Sequence, residues 1–132
     1  STAFAAPDFD ETMALAKQGE AYAQHNLGVM YENGEGVPEN DAEAVKWYRK
    51  AADQGDASAQ YNLGLMYAHG RGVPENSIRA YVWWSMAKTQ GHTGATENLE
   101  ILKRQMTKQQ IADGQALAAK CFESNYKDCE VK

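Results

Sequence analysis

The sequence predicts an all-α chain: a short α/α solenoid of stacked antiparallel helix hairpins, finished by a C-terminal capping helix. Residues 21–56 align on residues 57–92 without a gap, and 19 of the 36 aligned positions are identical. Nine of the eleven glycines sit on that lattice, as Gly28/Gly64, Gly34/Gly70, Gly36/Gly72 and the triplet Gly19/Gly55/Gly91. Between them, apolar residues recur at helical spacing. Glycine inside a helix costs about 1 kcal/mol against alanine, so a helical chain this rich in glycine is expected to use most of it as punctuation.

The 132 residues, about 14.6 kDa, are enough for one domain of ordinary size. A hydrophobic share of 43% lies far from the composition of disordered chains. No apolar run approaches the roughly 18 residues of a membrane span, so membrane insertion is not expected. The net charge of −5, from 13 basic and 18 acidic side chains, offers no electrostatic footprint for a phosphate backbone, and nucleic acid is not expected as a partner.

Along the chain, residues 1–7 are rich in small residues, and Ala3-Phe4-Ala5 has the spacing that a signal peptidase leaves near its cut. The expectation is a leader remnant and export to the periplasm or beyond, with a frayed terminus of a cytoplasmic protein as the alternative. Residues 8–20 read as the second half of a preceding unit and serve as an N-terminal cap. In repeat 1, residues 21–56, Ala23, Leu27, Met30 and Tyr31 fall at i, i+4, i+7 and i+8, the buried stripe of a helix over about 22–33. Ala59, Leu63, Met66 and Tyr67 repeat it over 58–69 in repeat 2, residues 57–92.

Gly34 and Gly70 stand where a left-handed C-terminal residue is wanted, and the G-x-G-V-P-E-N stretch that follows cannot continue a helix. Asn40 or Asp41, and Asn76 or Ser77, can cap the second helix of each unit, which ends at Gly55 or Gly91. Its buried edge is Ala44, Trp47, Tyr48 and Ala51, mirrored by Ala80, Trp83, Trp84 and Ala87. The large aromatics are expected to fill the space between neighbouring hairpins, and one of the adjacent Trp83 and Trp84 to stay partly exposed. Gly28 and Gly64, inside first helices, predict close packing. Residues 93–132 start a third unit through Ala95, Asn98 and Leu99. They then depart from the lattice with a T-x-x-Q capping box, Thr107 to Gln110, ahead of a last helix to about Phe122.

These motifs carry a resemblance. A-x-x-N-L-G-x-M-Y-x-x-G-x-G-V-P, followed by A-x-x-W-Y/W-x-x-A and Q-G-D/H, resembles the bacterial Sel1-like repeat, a relative of the tetratricopeptide repeat with a longer loop. The likeness is close over 21–92 and looser from about 8 to 122. It implies a solenoid that binds other proteins or peptides, without chemistry of its own in most members and without a cofactor.

Cys121 and Cys129 are the only cysteines. A single C-x7-C is too little for a zinc site, and the spacing alone leaves free thiols or a disulfide open, according to compartment. Cysteine-rich members of the family join helix ends over a similar spacing, so the resemblance favours a disulfide between Cys121 and Cys129 that fastens the tail, with about 2–3 kcal/mol of stabilisation.

His25, His69 and His92 lack metal-ligand spacing and are expected to be solvated or capping residues. Ser85-Met86-Ala87-Lys88 matches the S-x-x-K of penicillin-recognising enzymes, but S-D-N is absent and Lys88-Thr89-Gln90 is not K-T-G. Because some cysteine-rich relatives are linked with penicillin binding, that activity stands as the enzymatic alternative to a non-catalytic adaptor. A purely structural, oligomer-forming module is the other alternative.

The two copies also differ informatively. In the first helices five positions vary, and four of them, Tyr22, His25, Val29 and Glu32, follow i, i+3, i+7, i+10 and so share one stripe. Their counterparts are Ser58, Tyr61, Leu65 and Ala68, then Gly94, Glu97, Ile101 and Arg104. First helices line the concave surface of stacked hairpins, where extended or helical partner segments bind. The expected recognition surface of a monomeric adaptor is therefore Tyr22, His25, Val29, Glu32, Tyr61, Leu65, Ala68, Glu97, Ile101 and Arg104.

Overall fold

A computed structural model describes residues 8–130; the leader expected at 1–7 lies outside the described residues. Among the described residues there are seven α-helices and no strand: α1 (Phe9–Lys17), α2 (Ala21–Asn33), α3 (Asp41–Asp53), α4 (Ala57–His69), α5 (Ser77–Thr89), α6 (Thr93–Gln105) and α7 (Lys108–Glu123). Helices α2 with α3 and α4 with α5 form the two hairpins. Helix α1 packs on α2, α3 on α4, and both α6 and α7 on α5. A core cluster runs from Ala44 of α3 to Cys129 of the tail, and a smaller one joins Ala16, Ala23 and Leu27, with Trp47 packed against it. No helix among the described residues is long and apolar enough to cross a membrane.

Local chemistry sets the helix ends. Gly34 and Gly70 adopt φ of 71° and 64°, and their amides close the last turn onto the carbonyls of Met30 and Met66. Of the two candidates at each second helix, Asn40 and Asn76 are the caps, their side-chain oxygens accepting from the amides of Glu43 and Arg79. The Thr107/Gln110 capping box forms in full and starts α7. Between α6 and α7 the seven-residue loop of the repeats shrinks to Met106 and Thr107. Met106 is extended there, with φ −89° and ψ 149°, in place of a left-handed glycine.

A Cβ on Gly28 would lie 2.5 Å from the ring of Tyr48, and one on Gly64 would lie 2.4 Å from the indole of Trp84. Tyr48 and Trp84 thus press on the glycines of their own hairpins and not into the space between hairpins as expected, whereas Trp47 packs on the cluster that α1 shares with α2. A small residue is needed on α2 and α4 because a flat ring occupies the space its side chain would take. The same device recurs where Tyr81 of α5 lies against Gly114 of α7.

The expectation of one exposed tryptophan fails: Trp83 is 0% and Trp84 3% exposed. Two adjacent residues on a helix point to different sides, and both are covered because α5 is enclosed all round. On the α4 side Trp84 donates its indole N–H to the carbonyl of Tyr61 at 3.0 Å. The tail lies over Trp83, and α7 covers Tyr81.

Buried glutamines stitch successive hairpins together. Gln24 donates to the Ala16 carbonyl at 3.1 Å and Gln60 to that of Ala52 at 3.2 Å. Gln54 and Gln90 in turn donate to the side-chain oxygens of Gln24 and Gln60, at 2.8 and 3.0 Å. These four are identical lattice positions that hydrophobic periodicity passes over.

Candidate partner-binding face

Helices α2, α4 and α6 place the varying stripe side by side, but its members differ in what they touch. Tyr22 and Ile101, at the two ends, are 55% and 51% exposed. Glu97 and Arg104 are also exposed. Val29, Tyr61, Leu65 and Ala68 are half-buried and pack against the main core. The middle of the stripe is therefore an apolar, partly covered strip, and its free side chains stand at its margins.

Three members are engaged within the chain. A ring nitrogen of His25 lies 2.9 Å from the side-chain amide of Asn62, so this histidine links α2 to α4 and is neither simply solvated nor a cap. Tyr61 stacks on His92 with ring centroids 4.5 Å apart and accepts from Asn98 at 3.3 Å, which links α4 to α6. Asn62 and Asn98 are thus one lattice position used twice, each reaching back to the residue that varies in the preceding first helix. The comparison between copies missed them because it discards positions that do not vary. Glu32 is not a free rim charge. It accepts from the hydroxyl of Tyr48 at 2.6 Å and pairs with Arg71 at 2.9 Å, while Arg71 also reaches Asp41. Burial, with Glu32 next to it, raises the pKa of Tyr48 above the usual phenol range.

Between α4 and α6 lies a groove of about 460 Å³. Ala68, His69, Ile101, Leu102 and Gln105 form its sides, and Trp84, Asn98, Glu75 and Ser77 also line it. It joins two members of the expected stripe, Ala68 and Ile101, to residues of α5. The remaining histidines are an exposed His69 at the end of α4 and His92, which caps α6 by accepting from the Ala95 amide at 3.1 Å. The Ser85 hydroxyl donates to the Tyr81 carbonyl one turn back on α5 at 2.7 Å, a common bond for a serine inside a helix. Among the described residues no three His, Cys, Asp or Glu side chains cluster as metal ligands would.

A second polar constellation lies against α3 and α5, where sequence reasoning singled nothing out. It contains Arg49, Asp53, Tyr67, Arg79 and Glu130, with Cys121 and Cys129 joined in a disulfide close by. Comparing copies along the second helices marks Arg49, opposite Ser85, and Arg79, opposite Glu43, only as two of many varying positions, and no pattern in the sequence places Tyr67 or Glu130 beside them.

The comparisons with known proteins agree with this geometry. The Sel1 repeat model matches residues 21–56 and again residues 57–92. The chain belongs to the Sel1 repeat family. Among solved structures, the Sel1-like repeat protein c5321 of uropathogenic Escherichia coli, described as a protective antigen, is 30% identical, with a TM-score of 0.85. That alignment covers 94% of this chain but only 28% of c5321. A Sel1 repeat protein from Oxalobacter formigenes is 36% identical, with 67% of each chain covered and a TM-score of 0.66. No curated protein matches. Sel1 repeat proteins are in general protein–protein interaction modules, and the fold is typically a non-catalytic scaffold.

Proposed function

We propose that this Sel1 repeat chain is a non-catalytic adaptor that holds an extended or amphipathic segment of a partner protein across the face of α2, α4 and α6. The observation that carries this reading is the groove between α4 and α6, with a half-exposed Ile101 beside it and a half-exposed Tyr22 at the far end of the same face. A groove between helices that mixes apolar side chains with polar ones is a form that peptide sites take. Glu97 and Arg104 supply charges of both signs next to Ile101, which suits a segment that is apolar on one side and polar on the other. The disulfide supports a periplasmic or secreted setting, because such bonds persist in oxidising compartments.

The test is cross-linking in the native host followed by mass spectrometry, with the unaltered chain beside an Ile101→Asp, Tyr22→Ala double variant. Both side chains are half in solvent, so the melting temperature is expected to stay within a few degrees. The partner recovered with the unaltered chain is expected to be lost with the variant. Equal recovery with a fold intact by circular dichroism would overturn the reading. Light scattering over a concentration series is expected to show a monomer, and association into oligomers would favour a structural module instead.

A further inference from the structure

The tail beyond α7 comes back against α3 and α5, away from the face just described. The Cys121–Cys129 disulfide and a turn in which Asn125 and Tyr126 hold φ of 56° and 70° bring Glu130 to Arg49, 81 positions earlier in the chain. One carboxylate oxygen of Glu130 accepts from Nε of Arg49 at 2.9 Å, and the other from Nη2 at 3.3 Å. The Tyr67 hydroxyl donates to the second oxygen, and Nη1 of Arg79 stands 3.8 Å from it. Both guanidinium groups also lie by the Tyr67 ring, at 5.9 and 5.6 Å from its centroid. A guanidinium fork with a second cation and a phenol donor is the chemistry that recognises a carboxylate.

This cradle adjoins a cavity of about 710 Å³, lined by Arg49, Asp53, Arg79, Trp83, Tyr126 and Glu130 among others. That volume is far larger than a single carboxylate and falls in the range of ligand sites. Trp83 is fully buried, yet its indole N–H has no hydrogen-bond partner among the described residues. Buried donors are nearly always bonded, so Trp83, one of the residues lining the cavity, carries a donor that no described residue satisfies.

We propose that Arg49, Tyr67, Arg79 and Trp83 form a carboxylate-recognition site for an acidic peptide segment of a partner protein, and that Glu130 occupies it in cis as a displaceable stand-in. A side chain on a short tether competes at an effective concentration on the order of millimolar. A segment that binds through one carboxylate is therefore excluded, whereas one that also fills the cavity and reaches the Trp83 N–H can compete. The chain's net charge of −5 works against general attraction of an acidic partner, so recognition depends on these two arginines.

The experiment is fluorescence anisotropy of fluorescein-labelled tetraglutamate with the oxidised full chain. Glu130→Gln is expected to bind it at least tenfold more tightly than the unaltered chain, and adding Arg49→Ala or Trp83→Phe is expected to reverse the gain. No gain in Glu130→Gln, with the fold and disulfide intact, would overturn the proposal. So would equally tight binding of an oligodeoxythymidylate, or displacement of the probe by acetate at matched carboxylate concentration. If Glu130→Gln does not fold, Glu130→Ala, with the disulfide kept, serves as the second variant with the same expectation. If neither folds, Glu130 is a structural strut and the proposal fails.

Discussion

Two residues illustrate what single positions contribute. Gln60 is fully buried and acts both as donor, to the Ala52 carbonyl, and as acceptor, from Gln90. Gln60→Ala removes both bonds and leaves a void, so it is expected to cost about 2–3 kcal/mol in urea unfolding. Gln90→Ala, at an exposed position, should cost under about 1 kcal/mol. Asp53 argues about pH. Partial desolvation beside the cavity, followed by the charge of Glu130 and offset by Arg49, pushes its carboxyl up to about 6 from 3.8. The folded state therefore prefers the protonated acid, and the destabilisation from ionising it grows as pH rises from about 4 to about 6. Asp53→Asn is expected to raise the melting temperature at pH 7.5 and to leave it unchanged near pH 3.5. An equal shift at both pH values would contradict the assignment.

At the scale of the element, the pairing of glycine with an aromatic ring sets two effects against each other. Gly64→Ala improves helix propensity by about 1 kcal/mol, but its Cβ would stand 2.4 Å from the Trp84 indole. That ring cannot easily retreat, because it is buried and its N–H is bonded to the Tyr61 carbonyl. Overpacking costs about 1–3 kcal/mol, so the net outcome expected in thermal unfolding is no gain and a loss of up to about 2 kcal/mol. The contacts that oppose the propensity gain are also the ones the sequence did not reveal. Caps, left-handed glycines and the stripe of α2 and α4 were legible because each is decided within a few residues by spacing and side-chain chemistry. Which element the aromatics of α3 and α5 would press on is a matter of how helices meet, and periodicity says only that they are buried.

The whole molecule depends on its C-terminal third in a way that follows from α5. The expectation of an exposed tryptophan failed because the short connection at Met106 and Thr107 lets α7 fold back on α5, and the tail then covers what remains. For the same reason the cluster of Arg49, Tyr67, Arg79 and Glu130 was invisible in one dimension, whereas the stripe on α2, α4 and α6 could be proposed from a comparison of two copies. In a stack of hairpins each unit contacts only its neighbours, and the last one must be closed by something that hides its far face. Deleting residues 100–132 would strip Tyr81 and Trp83 of α5 of much of their cover. Burying two such side chains contributes about 3–6 kcal/mol, a large part of the stability of a domain this size. The truncated chain is accordingly expected to lose its cooperative melt by circular dichroism. If it melted cooperatively within a few degrees of the full chain, α6, α7 and the tail would be an appendage on two self-sufficient hairpins, and the capping role argued for them would be wrong.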